Sequence, residues 1–324
     1  MEDILKVKDL SVALKTQDGI SRILDKITFN LKKGETLGVV GESGCGKSML
    51  ASAIIGLISD PLKVDDGSVL FEGEELIGLP EKRLREYRGK KIAMIFQDPM
   101  TSLNPIMKCG KQLVETILAH EKVSKKDAIA RSLDLISQVG LDNPKEIYNK
   151  IPAQLSGGQR QRIVIAMALC CSPDLIICDE PTTALDVVIQ KQILILIKKL
   201  VRESGASCIF ISHDMGVVAN MADNVMVMYA GQVVEYADIK SVFRSPAHPY
   251  SKALQASLPQ NVEEKERLNE MKGSVPMLDN LPAGCLFEPR CPMADWRCST
   301  NRPELKNVHG HYRRCFKKPE ELTV

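Results

Sequence analysis

The sequence is poor in aromatic residues: Phe, Tyr and Trp make up 4% of 324 positions, and there is a single Trp. It lacks a strong charge of either sign. Lys and Arg number 43 against 41 Asp and Glu, so the net charge is +2 and there is no general polyanion-binding signal; nucleic acid is not an expected partner. Long hydrophobic runs are missing as well. The longest aliphatic stretches, such as "ILILI" at 193–197, fall far short of the ~20 residues needed to span a bilayer. The N-terminal "MEDILKVKDL" has neither a basic n-region nor an apolar h-region, so it does not read as a secretory signal. No internal repeat or low-complexity run interrupts the chain. These absences lead us to expect a cytoplasmic protein, in which cysteines seldom form structural disulfides.

What is present is an ordinary globular composition, 44% apolar and 26% charged, long enough for one large domain and a smaller appendage. "ILKVKDLSVAL" and "ILDKITFNL" alternate apolar and polar positions, as antiparallel strands do. "TLGVVG", "KIAMIFQ" (91–97), "DLIICDEP" (174–181) and "SCIFISHD" are short apolar runs that read as buried strands. "GSVLFEGEEL" is a further β segment, and "VMVMYAGQVVEYA" a hairpin turning at Ala230-Gly231. Residues from about 105 to 170 carry helical spacing, and "DVVIQKQILILIKKLVRES" is a long amphipathic helix. Strands alternating with helices indicate an α/β core on a largely parallel sheet. Past residue 240 the chain becomes Pro-punctuated, then charged in "QNVEEKERLNEM", then Cys-rich. We therefore divide it into a core, 1–240, and a C-terminal extension, 241–324.

"GESGCGKS" at 41–48 fits G-x-x-x-x-G-K-[ST] between an expected strand and an expected helix. Such a loop turns backbone N–H groups toward phosphate oxygens, and the helix N-terminus adds positive potential. The candidate ATP-binding residues are Gly41, Glu42, Ser43, Gly44, Cys45, Gly46, Lys47, Ser48 and Met49, with Lys47 placed for the β- and γ-phosphates and Ser48 for Mg²⁺. "LIICDE" at 175–180 ends an apolar strand in two carboxylates, where an open α/β sheet places its ligand chemistry. Asp179 is the candidate Mg²⁺ ligand. Glu180 is the candidate base that polarises the attacking water.

With "LSGGQRQR" at 155–162, these motifs resemble the signature of ATP-binding-cassette (ABC) ATPases. Gln97 in "IFQDP" is similar to the family's Q-loop glutamine, Ala184-Leu185-Asp186 to its D-loop and His213 in "ISHD" to its switch histidine. The resemblance implies a RecA-like P-loop core with an antiparallel β subdomain and a helical signature subdomain. It makes Glu180, His213 and Gln97 the expected catalytic group, with Gln97 also near the metal. Ser156, Gly157, Gly158 and Gln159 are expected to cap the γ-phosphate held by an opposite subunit, so that ATP lies between two cassettes. The family usually stacks adenine on an aromatic residue after the first strand. Here "SVALKTQDGISRILDK" has none, and Leu14, Ile23 or Arg22 is left to face the base.

"FQDPMTSLNPIM" (96–107), "SPAHPYSKALQASLP" (245–259) and the Cys-rich tail resemble the dipeptide, oligopeptide and nickel importer group. This implies an ATPase subunit peripheral on the cytoplasmic face of the membrane. It would dock under permease subunits, pair with a second ATPase subunit of the same or a different kind, and depend indirectly on a binding protein. The cargo would be dipeptides or short oligopeptides, with nickel, or a non-transport ATPase role, as alternatives.

Four cysteines close the chain: Cys285, Cys291, Cys298 and Cys315, separated by 5, 6 and 16 residues. Their Pro-rich, polar setting is unlike that of Cys170, Cys171, Cys178 and Cys208, which sit in apolar segments and read as core. Four thiolates suit tetrahedral zinc, but the usual C-x2–4-C knuckle is missing; His309 and His311 are further zinc candidates. A [4Fe–4S] cluster takes four thiolates at wider spacing. The residues leave both open. The resemblance, in which some dipeptide-importer ATPases carry such a cluster, implies [4Fe–4S], acting as a structural staple for a small segment with few large apolar residues.

Overall fold

The computed structural model describes residues 2–16, 19–183, 185–257 and 271–322. Of the segments singled out above, Ala184 and nearly all of "QNVEEKERLNEM" lie outside them. The chain forms two compact units. The first takes in Met1–Lys32, Thr36–Ile77 and Phe210–Val324, the second Lys33–Glu35 and Gly78–Ile209.

The first unit begins with two long strands, β1 (Asp3–Thr16) and β2 (Gly19–Lys32), paired antiparallel. Their alternation is a division between core and solvent: Leu24, Ile27, Phe29 and Leu31 of β2 are buried, while Lys26, Thr28, Asn30 and Lys32 are exposed. β3 (Thr36–Val40) carries no polar side chain from Leu37 onward, where it is buried, and it feeds the 41–46 loop and the helix Lys47–Ile54. β4 (Leu62–Phe71) and β5 (Glu74–Glu75) complete a sheet in the order β2-β1-β4-β5.

In the second unit β6 (Ile92–Ile95) lies parallel to β7 (Leu175–Asp179). Leu175, Ile176, Ile177 and Cys178 are at most 1% exposed, so truncating one of the aliphatic three would cost about 2–5 kcal/mol. Between these strands the helices Cys109–His120, Lys125–Gln138, Pro144–Asn149 and Gly157–Leu169 pack on one another. After β7 comes the amphipathic helix Val187–Ser204, stopped by Gly205 at φ +68°. β8 (Ser207–Ser212) is wholly buried and carries the chain back to the first unit.

There β9 (Asn224–Tyr229) runs parallel to β3 and turns into β10 (Gln232–Asp238). The turn residues Ala230 and Gly231 both have positive φ, 44° and 79°, as a two-residue hairpin requires. The C-terminal extension does more than append itself to this unit. It contributes β11 (Lys306–Val308) and β12 (His311–Arg313), giving the order β11-β12-β10-β9-β3. The parallel pairing expected from the sequence thus holds for β3 with β9 and β6 with β7, while the β9–β10, β10–β12 and β11–β12 pairs are antiparallel. The extension was also expected to have little core of its own. Instead Leu286 and Phe287 are buried, and Phe287 packs on Tyr229 and Tyr250 at ring separations of 5.2 and 5.4 Å.

Candidate functional site

The 41–48 loop lies in the first unit, between β3 and the helix Lys47–Ile54. Its backbone depends on glycine. Gly46 has φ +101°, and a Cβ there would stand 2.8 Å from Leu24 Cδ2; a Cβ on Gly41 would stand 2.3 Å from the Met228 carbonyl oxygen. Lys47 is 5% exposed and its ammonium donates to the carbonyls of Gly41 at 2.8 Å and Glu42 at 3.0 Å. The lysine is thereby curled over its own loop, at a helix N-terminus that favours anions. Ser48 and Met49 open the helix beside it. Cys45 is fully buried. Burial pushes its thiol up more strongly than neighbouring Lys47 lowers it, so it serves as a small apolar side chain rather than a nucleophile. Of the residues left to face a base, Arg22 is tied to Asp65 through Nε at 3.2 Å and Nη2 at 2.8 Å. His213, also in this unit, is exposed just past β8, before Asp214 caps the helix Met215–Met221.

Gln97, Asp179, Glu180, the 156–159 segment and Asp186 belong to the second unit. Asp179 ends β7 and is 5% exposed. Glu180 follows at φ +45°, a left-handed conformation that is strained for a residue with a Cβ and is held only where the surroundings impose it. Its Oε2 accepts from Gln97 Nε2 at 3.3 Å and from the Thr183 hydroxyl at 2.9 Å. The structure therefore joins Gln97 and Glu180, which are 83 residues apart in sequence. It adds Thr183, which no motif had singled out, although its place three residues after Glu180 in a turn is a local signal.

Ser156 caps the helix Gly157–Leu169 in a reciprocal box: its Oγ accepts from the Gln159 amide at 3.3 Å, and Gln159 Oε1 accepts from the Ser156 amide at 3.0 Å. Of the two glycines between them, Gly158 is there for lack of room. A Cβ on Gly158 would come 2.7 Å from Ile189 Cγ2. Asp186 caps the helix Val187–Ser204, its Oδ1 accepting from the Ile189 amide at 3.0 Å. Val187 and Val188 beyond it are 81% and 68% exposed.

The four tail cysteines belong to the first unit and form no disulfide. Burial pushes Cys285 and Cys291 up to about 11 each, and the other thiols add to it: Cys298 and Cys315 act on both, and Cys285 acts on Cys291. Burial raises Cys315 too, with Cys298 adding. All four thus lie within electrostatic reach of one another. Among the described residues no group of three or more His, Cys, Asp or Glu is gathered closely enough to hold a single metal ion. Asp295 organises the segment. It caps the helix Trp296–Thr300, lies 3.7 Å from Cys298 Sγ, and is held well below the usual carboxylate range by Arg297 and Lys317. The core cysteines behave as expected, Cys170, Cys171, Cys178 and Cys208 being at most 8% exposed.

Two family models match the chain: "ABC transporter" over residues 24–183, and "Oligopeptide/dipeptide transporter, C-terminal region" over 234–298. The oligopeptide transport ATP-binding protein OppD of Escherichia coli is 46% identical over 98% of this chain and 94% of its own length. The dipeptide transport ATP-binding protein DppD of Bacillus subtilis is 48% identical over 90% of this chain and 88% of its own. Among solved structures, the post-hydrolysis dimer of the ATP-binding cassette MJ0796 bound to ADP and Pi superposes with a TM-score of 0.65. It is 28% identical and covers 72% of this chain and 98% of that one.

Proposed function

Since this chain belongs to the ABC transporter family, among the ATP-binding subunits of oligopeptide and dipeptide transporters, we propose that Lys47, Ser48, Gln97, Asp179, Glu180 and His213 serve ATP hydrolysis that drives peptide uptake. The chain is the ATPase subunit of a peptide importer, and its cargo is dipeptides or short oligopeptides. The observation that carries the catalytic assignment is Glu180. Its carboxylate is fixed from two sides by Gln97 and Thr183, directly after a nearly buried aspartate. A carboxylate so held is oriented for a water molecule and spends no binding energy on the nucleotide. Lys47 and the N–H groups of residues 43–48 take the phosphates. The hydroxyl of Ser48 and the carboxylate of Asp179 are hard oxygen donors of the kind Mg²⁺ requires, and Mg²⁺ when bound neutralises phosphate charge. Gln97 orients Glu180, and His213 contacts the γ-phosphate side.

Ser156, Gly157, Gly158 and Gln159 present a helix N-terminus to the nucleotide of a second ATPase subunit, and Asp186 with the exposed Val187 and Val188 borders that same partner. No helix among the described residues is long and apolar enough to cross a membrane. The chain acts at the cytoplasmic face, under separate permease subunits that a binding protein supplies. The tail cysteines hold a [4Fe–4S] cluster. What supports this reading is four cysteine thiols of one short segment within mutual electrostatic reach.

The test is a pair of variants. Glu180→Gln is expected to keep ATP affinity while turnover falls at least about 100-fold, and Lys47→Ala to lose nucleotide binding. Hydrolysis by Glu180→Gln at the wild-type rate would overturn the assignment.

A further inference from the structure

Glu42, the second residue of the nucleotide loop, is fixed at each of its polar groups. Its carbonyl accepts from Lys47 Nζ at 3.0 Å. Its N–H donates to the Tyr250 hydroxyl at 2.8 Å. Its carboxylate takes a two-pronged ion pair from Arg290, Nη1 to Oε2 at 2.8 Å and Nη2 to Oε1 at 3.0 Å. Two of these three anchors come from the C-terminal extension, 208 and 248 residues further along the chain.

Arg290 is built into place. Its side chain is 6% exposed, its Nε donates to the Lys272 carbonyl at 3.0 Å, and its guanidinium lies 5.8 Å over the Tyr229 ring. Tyr229, Tyr250 and Phe287 pack on one another at 4.8–5.4 Å around the arginine, while the Glu42 side chain stays 28% exposed. Exposed ion pairs contribute little, but a forked arginine in such a seat is costly to break, because the carboxylate is left behind unpaired. Glu42 is the only acid in 41–48, a loop whose task is to receive an anion. Freed, it would repel the phosphates and release the backbone whose amides must face them.

We propose that Arg290, with Tyr250, positions the nucleotide loop: the C-terminal extension neutralises Glu42 and holds the loop in its phosphate-receiving shape. This rests on the loop's reading as an ATP site. Arg290 directly precedes Cys291 at the end of a 3-10 turn, Glu288–Arg290, so the cysteine segment and the nucleotide loop share one short rigid link.

Full-length protein is titrated with fluorescent N-methylanthraniloyl ATP and Mg²⁺. Arg290→Ala is expected to weaken Kd by about tenfold. Arg290→Lys, which keeps the charge but not the fork, should recover part of the loss. In a Glu42→Gln background Arg290→Ala should cost at most about twofold, because the charge it neutralises is gone. Iron content and Trp296 emission equal to wild type show that the extension is intact. A wild-type Kd in Arg290→Ala, or the same loss with and without Glu42, overturns the positioning role while leaving the ATP site standing. A wild-type protein that binds no nucleotide overturns both.

Discussion

His248 begins the "HPY" segment and is 1% exposed. Its Nδ1 accepts the Tyr250 amide at 3.0 Å and so caps the helix Pro249–Ala256, which places Tyr250 against the nucleotide loop. Burial lowers its pKa to about 3, and the nearby Arg314 guanidinium adds to this, although a hydrogen bond with the Arg314 backbone opposes it. The Phe287 ring, 5.7 Å away, supplies part of the apolar surround. An opened chain would expose a histidine of pKa ≈ 6.5. Between pH 6.5 and 3 the open form therefore binds a proton that the folded form does not, and stability is lost as pH falls through this window. From pH 7 to 5 the loss attributable to this one group is about 2 kcal/mol. Hydrogen exchange of a peptide covering 249–256 reads the local opening free energy directly. His248→Asn keeps a capping acceptor but does not titrate. The variant is expected to lose about 2 kcal/mol less than wild type between pH 7 and 5, whatever its stability at pH 7. Equal losses in both proteins would refute the assignment of a buried neutral His248.

Two further outcomes follow from the site. The isolated subunit should be largely monomeric without nucleotide, and Glu180→Gln with Mg-ATP should shift light scattering toward a dimer; a dimer indifferent to nucleotide would count against a site completed by a partner's 156–159 segment. Protein purified without oxygen should be brown and carry about four irons per chain. Cys291→Ser should remove the colour and leave less than about one iron; one zinc per colourless chain would replace the cluster with a zinc staple.

Much of the nucleotide site was legible because its signals are local. A phosphate loop is a contiguous run whose glycines are fixed by neighbours, and β7 announces itself as an apolar strand ending in carboxylates. The Gln97–Glu180 contact was legible only as two separate motifs. The extension was opaque for a different reason. β11 and β12 are three residues each and nowhere fully buried, so they carry no alternation; their strand character comes from pairing, β12 with β10 and β11 with β12. β4 begins at Leu62 rather than Gly67 because residues 62–66 gain their strand geometry from β1 and stay largely exposed. Arg290 sits in a Pro-punctuated segment that reads as solvated, and its partner lies 248 residues away. No spacing rule connects them.

The central claim is that this chain hydrolyses ATP to drive peptide uptake. The most direct measurement reconstitutes it with its permease and second ATPase subunit in lipid vesicles and follows phosphate release as peptide-loaded binding protein is added. Release should rise several-fold with peptide, and it should vanish when Lys47→Ala or Glu180→Gln replaces the wild-type chain. Release that is the same with and without peptide, or that survives Glu180→Gln, would contradict the account.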